Sequence, residues 1–412
     1  MSEPTQAAPP SPAPAQVRWL SGAVLGFGLA SLLSDMGHEA GTAALPSLLM
    51  SLGAAPLALG LIEGIADGVV CFAKLYGGSL ANHLRLRKPI AVGGYAVTGL
   101  SIGLFALATS WLHVLLARCV GWLARGIRSP ARSAMLADAV PRQALGRAIG
   151  FHRAMDTLGA IAGPALATLL LPVLPLRQVF VFAMVPGVLA AVTFFFLVRP
   201  QQASLREPPP KLMRGLVALP SSFRRFLIAV LLFGAGDFAR TLLILRATQL
   251  LAPTRGAVDA AAIGMALFVL HNFVAAACAY PIGRLADSVS PRRLLAVGYG
   301  LGVVTALGAA LATPSLPRLA ALFIVAGLVI GIEETIESVL CARLAPRPLR
   351  GTAYGALAAT NGVGDLISSS LVGLLWTTLG PGIGFGIAAL ACAIGTLLLV
   401  AVREDAGADP QA

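Results

Sequence analysis

Residues Gly126–Gly163 read GIRSPARSAMLADAVPRQALGRAIGFHRAMDTLGAIAG. The stretch is apolar enough to lie in a membrane, yet it carries Arg128, Arg132, Asp138, His152, Arg153 and Asp156. A second copy starts at Gly331: GIEETIESVLCARLAPRPLRGTAYGALAATNGVGDLISSS. The register holds at Gly126/Gly331, Pro141/Pro346, Arg142/Arg347, Gly146/Gly351, Ala148/Ala353 and Gly150/Gly355. The charges invert: Arg128 aligns with Glu333 and Arg132 with Glu337. A chain that duplicates an apolar unit and places opposite charges at equivalent positions points to a site built between two halves.

Composition agrees with a membrane setting. Of the 412 residues 57% are hydrophobic and only 12% charged, with a mean hydropathy of +0.84; soluble chains carry about 25% charge. Windows of about 20 apolar residues recur, the length of a transmembrane helix, and there is too little polar surface to cover a soluble core of this size. The net charge of +12 is not a nucleic-acid footprint, because the basic residues fall in short loops between apolar spans. The five cysteines stand singly in those spans, with no CxxC or Cys/His spacing, so neither a disulfide framework nor a metal site is expected. No glycine-rich phosphate loop precedes a helix and no ordered Ser/His/Asp arrangement is present, which argues against an enzyme and against a cofactor.

The hydropathy pattern predicts an all-α membrane protein of twelve spans, at about 19–50, 56–79, 89–109, 112–137, 146–171, 177–198, 223–250, 259–282, 292–312, 317–340, 351–378 and 381–402. Residues 1–18 read as a disordered cytoplasmic tail rather than a signal peptide. Two six-helix halves follow, 19–198 and 223–402, joined by a polar linker, 199–222, and followed by a second tail, 403–412. The loops after spans two, four, eight and ten and the linker hold most of the lysine and arginine, whereas the opposite loops offer only Arg177, Arg255 and Arg318. By the positive-inside rule both termini are cytoplasmic, in a bacterial inner membrane.

Gly283-Arg284-Leu285-Ala286-Asp287, followed by Arg292 and Arg293, resembles the loop between the second and third helices of each half in the major facilitator superfamily. Gly78-Ser79-Leu80-Ala81-Asn82-His83, followed by Arg87 and Lys88, is a worn copy with Asn82 in place of the aspartate. Gly159 to Pro164 is similar to a glycine- and proline-rich pattern of the family's fifth helix, frequent in exporters. Segments such as RGIRSPARSAMLAD resemble a bacterial group of these transporters known only as permeases. The resemblance implies two pseudo-symmetric six-helix bundles rocking about a central site, with a conformational latch formed by Asn82, Arg87, Lys88, Arg132, Asp138, Asp287, Arg292 and Arg293. Asn82 keeps hydrogen-bonding capacity without charge, which implies a weaker latch in the first half.

Charged side chains at depth are costly in a bilayer and read by default as functional or paired. Asp35 and Glu39 share one helix face. Two carboxyls that close cannot both ionise cheaply, as suits a group that loads and releases a proton. His38 titrates near neutrality in its ordinary state. Asp237 and Arg240 are the second-half counterparts of Asp35 and His38. Asp35, His38, Glu39, Asp237, Glu333 and Glu337 are therefore the candidates for proton coupling. Arg128, His152, Arg153, Asp156, Arg240, His271, Asn361 and Asp365 are the candidates for solute contact. Asp156 is spaced to pair with His152 or Arg153, His271 suits a helix-to-helix hydrogen bond, and Glu334 points away from the face of Glu333 and Glu337. Two uses fit the inverted charges: ion pairs of Glu333 and Glu337 with Arg128 and Arg132 across the halves, or carboxyls that bind a proton or cation.

These readings converge on a proton-coupled secondary transporter, a monomer in the lipid bilayer, moving a small polar or charged solute and leaning toward export. The alternatives are a proton-coupled importer of an organic anion or nutrient clamped by Arg128 and Arg153, an exporter of a metal ion or its complex, a uniporter and a non-transporting receptor.

Overall fold

The computed structural model describes residues 20–80, 84–140, 145–199, 217–286, 288–345 and 350–401. The helices of the first half are α1 (Gly22–Ser51), α2 (Pro56–Leu80), α3 (Arg87–Leu104), α4 (Trp111–Asp138), α5 (Leu145–Leu170) and α6 (Leu176–Leu197). Those of the second half are α7 (Ser221–Gly234), α8 (Arg240–Arg255), α9 (Ala257–Leu285), α10 (Pro291–Ala310), α11 (Leu316–Leu344), α12 (Arg350–Leu379) and α13 (Pro381–Ala401). Single 3-10 turns, Leu84–Leu86 and Phe105–Leu107, flank α3. The duplicated stretch is the end of α4 with the start of α5, and its copy the end of α11 with the start of α12.

Span seven differs from expectation. It is two helices, α7 and α8, with non-helical backbone around Asp237. Gly234 and Gly236 lead into this point, and glycine is a weak helix former. Gly236 lies hard against the backbone of α13 at Ala388 and Cys392.

Eight helices among the described residues are long and apolar enough to cross a membrane. The other spans, α1, α4, α5 and the divided α7–α8, hold Asp35 and Glu39, a stripe of Arg118, Arg125, Arg128 and Arg132, Arg153 and Asp156, and Asp237 with Arg240. Charge at depth is not confined to these spans: α9, α11 and α12, which are apolar enough, carry His271, Glu333, Glu337, Asn361 and Asp365.

Three apolar cores organise the packing. One sits where α3 leads into α4 and α9 follows α8, on the side away from the described chain ends, here the far side. It is shared, joining Leu45, Leu48 and Phe180 of the first half to Leu242, Phe268 and Phe385 of the second. On the opposite, terminal side each half has its own: Phe27, Tyr95 and Phe194 in the first, Phe223, Phe233 and Tyr299 in the second. Within the first half, Gly159 and Gly163 bring α5 against the α1 backbone; a Cβ on Gly159 would stand 2.5 Å from the Leu32 carbonyl. Between the halves, Gly60 and Gly64 of α2 play the same part against α12.

Candidate functional site

The polar face of α1 meets the arginine stripe of antiparallel α4 rung by rung. Arg132 donates to Ser31 Oγ at 2.8 Å, Arg128 to Ser34 Oγ at 3.0 Å and Arg118 to Thr42 Oγ1 at 2.9 Å. Arg125 pairs with Asp35 at 3.1 Å. Arg118 also pairs with Glu63 of α2 at 2.7 Å, with its guanidinium 3.7 Å from the centre of the Trp122 ring. Arg128 is 1% exposed and lies 3.8 Å from the centre of the Tyr95 ring. A guanidinium over an aromatic face gains electrostatic attraction when both are desolvated. On α5, His152 hydrogen-bonds Ser31 at 3.0 Å and lies 3.4 Å from Asp156.

The second half answers with carboxyls. Glu337 accepts from Tyr299 at 2.6 Å and from Asn361 at 2.8 Å. Glu333 is buried, with Oε2 lacking a partner among the described residues. Asp237 holds Arg240 by two bonds, at 2.8 and 3.0 Å, and Arg240 donates a third to the Phe238 carbonyl at 2.6 Å. Thus a tyrosine of α3 lies over a guanidinium in the first half, and a tyrosine of α10 donates to a carboxyl in the second.

Two adjoining chambers lie between the halves. The larger, about 600 Å³, is lined by Arg153 and Thr157 of α5, His271 and Asn272 of α9, and Glu334 of α11, with small apolar residues between them. The second, about 410 Å³, is lined by His38, Glu63, Asp67, Arg118 and Trp122 of the first half and by Asp237, Thr241, Glu333, Glu337, Asn361 and Asp365 of the second. Glu39, Arg240, Phe268, Ile330 and Glu334 belong to both. Counting both, the second-half wall presents five carboxyls, Asp237, Glu333, Glu334, Glu337 and Asp365, to one guanidinium, Arg240. The first-half wall presents Glu39, Glu63 and Asp67 to Arg118 and Arg153.

Several expectations change. Arg128 and Arg132 do not meet Glu333 and Glu337 in this structure: hydroxyl groups of α1 take the arginines, and Tyr299 and Asn361 take Glu337. Arg128 lines neither chamber, so it is out of reach as a clamp for a solute there. Asp35 is drawn from Glu39 toward Arg125, leaving Glu39 on the chamber wall, 3.6 Å from His38. Glu334, expected to point elsewhere, borders both chambers. Asp156 lies beside His152, while Arg153 faces the larger chamber. The helix-to-helix bond expected of His271 is made by Asn272, which donates to Ala160 of α5 at 2.7 Å, and His271 bonds Asn272 at 3.0 Å.

Of the latch residues, Asn82 and Asp287 lie outside the described residues. Arg87 pairs with Asp138 at 2.7 Å, Lys88 stands 5.0 Å from the centre of the Phe195 ring, and Arg292 donates to the Leu399 and Val400 carbonyls at the end of α13. Arg293 lines a small pocket beside Arg292. These contacts join neighbouring helices of one half.

Sequence reasoning missed Ser31, Ser34, Thr42, Tyr95 and Tyr299, together with Ser368 and Ser369. Their one signal was spacing: Ser31, Ser34, Asp35, His38 and Thr42 recur at three to four positions along α1, a polar stripe in an apolar helix.

The sequence matches the Major Facilitator Superfamily over residues 27–251 and 249–412. An uncharacterized MFS-type transporter of Methanocaldococcus jannaschii is 28% identical over 93% of this chain and 95% of its own. The multidrug resistance protein MdtH of Aeromonas salmonicida is 24% identical over 74% of this chain and 73% of its own. Among solved structures, the nucleoside transporter NupG superposes with a TM-score of 0.77 at 15% identity, covering 93% of this chain and 99% of that one, a likeness of fold alone. With two bundles of helices around a polar cavity, and a family match over nearly the whole sequence, this chain belongs to the major facilitator superfamily: it is a multi-pass membrane transporter of small-molecule solutes, not an enzyme.

Proposed function

We propose that this protein is a proton-coupled antiporter of the bacterial inner membrane that exports a small polar solute bearing positive charge, alone or within a zwitterion. The observation that carries this reading is the charge of the cavity wall. In the second half five carboxyls face one guanidinium, and unpaired carboxylates at that depth are too costly to stay bare. They need protons or a cation. A wall that accepts either, but not both together, exchanges one for the other, and occupancy then biases the two conformations differently. The shared far-side core and separate terminal-side cores support a state open toward the termini, and the loop charges support reading that side as the cytoplasm. Export is supported further by the likeness to MdtH, which is named for multidrug resistance.

The test is electrical. The purified protein in liposomes is adsorbed on a supported membrane and challenged with a panel of small organic cations and zwitterions. At least one is expected to evoke a transient current that grows with an opposing pH gradient and falls more than tenfold in Glu333→Gln. Solute flux that ignores the gradient would make the protein a uniporter and overturn the coupling. Currents evoked only by organic anions would overturn the solute class and favour an importer using Arg153.

A further inference from the structure

The non-helical backbone between α7 and α8 leaves polar groups without helical partners, at a depth where lipid offers none. Three of them are served by side chains. Arg240 donates to the Phe238 carbonyl. Ser369 Oγ accepts from the Ala239 amide at 3.0 Å, and Ser368 Oγ donates to the Asp237 carbonyl at 2.9 Å. Both serines belong to one turn of α12, and both are 0% exposed. The Ser368 hydroxyl also lies 3.2 Å from the Asp365 carbonyl. Two of the three supports therefore come from outside the broken span.

The same turn of α12 is where the other half presses. A Cβ on Gly60 of α2 would collide with the Ser369 carbonyl, and one on Gly64 would lie 2.9 Å from both the Leu366 carbonyl and Ser370 Oγ. On α12, Gly373 receives the α2 backbone at Pro56 and Leu57, and the Leu57 amide donates to Thr377 at 2.9 Å. Backbones approach this closely only where residues are small. One turn of α12 thus has two tasks: it carries a close backbone seam between the halves and it fixes the backbone that presents Asp237 and Arg240 to the cavity.

We infer that Ser368 and Ser369 are positioning residues that couple the α2–α12 seam to the Asp237–Arg240 pair, so that movement of one half against the other resets a charged pair in the cavity wall. While Gly60 bears on Ser369, the serine pair holds the break, and the break holds Arg240 in its threefold grip on Asp237 and Phe238. When the seam slides, the Ser369 turn moves with respect to α2 and the clasp loosens. A packing change between halves becomes a change in the availability of a carboxyl and a guanidinium. The inference needs the relative motion of the halves and not the proton coupling proposed above, so the two can fail separately.

Hydrogen exchange on the purified full-length protein tests this without a known solute, since amide protection reports local opening. Ser369→Ala is expected to speed exchange in residues 236–242 about tenfold. Gly60→Ala lies in the other half and is expected to speed the same segment by a similar factor. Because both act through one clasp, the double variant should exceed neither single variant by more than about twofold. Ser368→Thr keeps the hydroxyl and is expected to retain the parent exchange, whereas Ser368→Ala is not, a rescue that general loosening of α12 would not produce. If Gly60→Ala alters exchange only at 56–64 and 366–373 and leaves 236–242 unchanged, the coupling is overturned. Full additivity of the two substitutions would overturn it equally. Should Ser369→Ala fail to yield folded protein, the Gly60→Ala measurement and the Ser368 pair still decide.

Discussion

Four arginines on one helix are unequally secured. Arg118 and Arg125 face carboxylates, whereas Arg128 and Arg132 are held by hydroxyl groups and by the Tyr95 ring. The buried Arg118–Glu63 pair should show the asymmetry known for such pairs: removing one partner is costly, and removing both much less so. Glu63→Gln is expected to destabilise the protein by about 3 kcal/mol, read as a lower midpoint of thermal unfolding in detergent. Adding Arg118→Met to Glu63→Gln should restore most of the loss; a double variant as unstable as the single one would contradict this account. At this scale the sequence was only partly legible. The charges were visible, but their partners were not. A serine in an apolar helix looks the same whether it bonds its own backbone or an arginine on another helix, and only the antiparallel docking of α1 on α4 decides that Ser34 meets Arg128.

Hydropathy is written locally, so most spans could be read directly and with near-correct ends; span one was expected at 19–50 and α1 is Gly22–Ser51. The division of span seven was not legible. Gly234 and Gly236 hinted at weakness, but glycines also mark close helix packing, and both uses occur in this protein. What separates them is whether outside groups are available for the released backbone, and Ser368 and Ser369 lie 130 residues away from it. Gly159 belongs to the packing class. Gly159→Ala puts a methyl 2.5 Å from the Leu32 carbonyl and 3.1 Å from Asp35 Cβ, so α5 must shift away from α1. Overpacking of this kind costs about 1–3 kcal/mol. The expected result is a lower unfolding midpoint, with Gly93→Ala, where nothing lies within 4 Å, as the unaffected control.

Across the whole molecule, the duplication and its inverted charges pointed to a site between two halves before any geometry was known. Which halves touch where, and in which state, could not be read, because that depends on apolar surfaces with no chemical signature. The far-side core answers part of it: apolar residues of both halves are joined there in one buried cluster. Either half expressed alone would expose that surface, so residues 1–199 without their complement should be degraded or aggregate. Co-expression with residues 200–412 should yield a complex that co-purifies through a tag on one piece. Stable, monodisperse material from the first half by itself would show that the shared core matters less than its extent suggests.

The opposed charges at equivalent positions also carry a statement about ancestry. Two copies of a single half-length chain, related by a twofold axis, must present the same side chain at equivalent places. Such an assembly would bury arginine in both copies or glutamate in both, like charge with like. Guanidinium at 128 and 132 with carboxyl at 333 and 337 needs two copies free to diverge, and a chain that holds both meets that need. In this protein a single chain buries a guanidinium in one half where it buries carboxyls in the other.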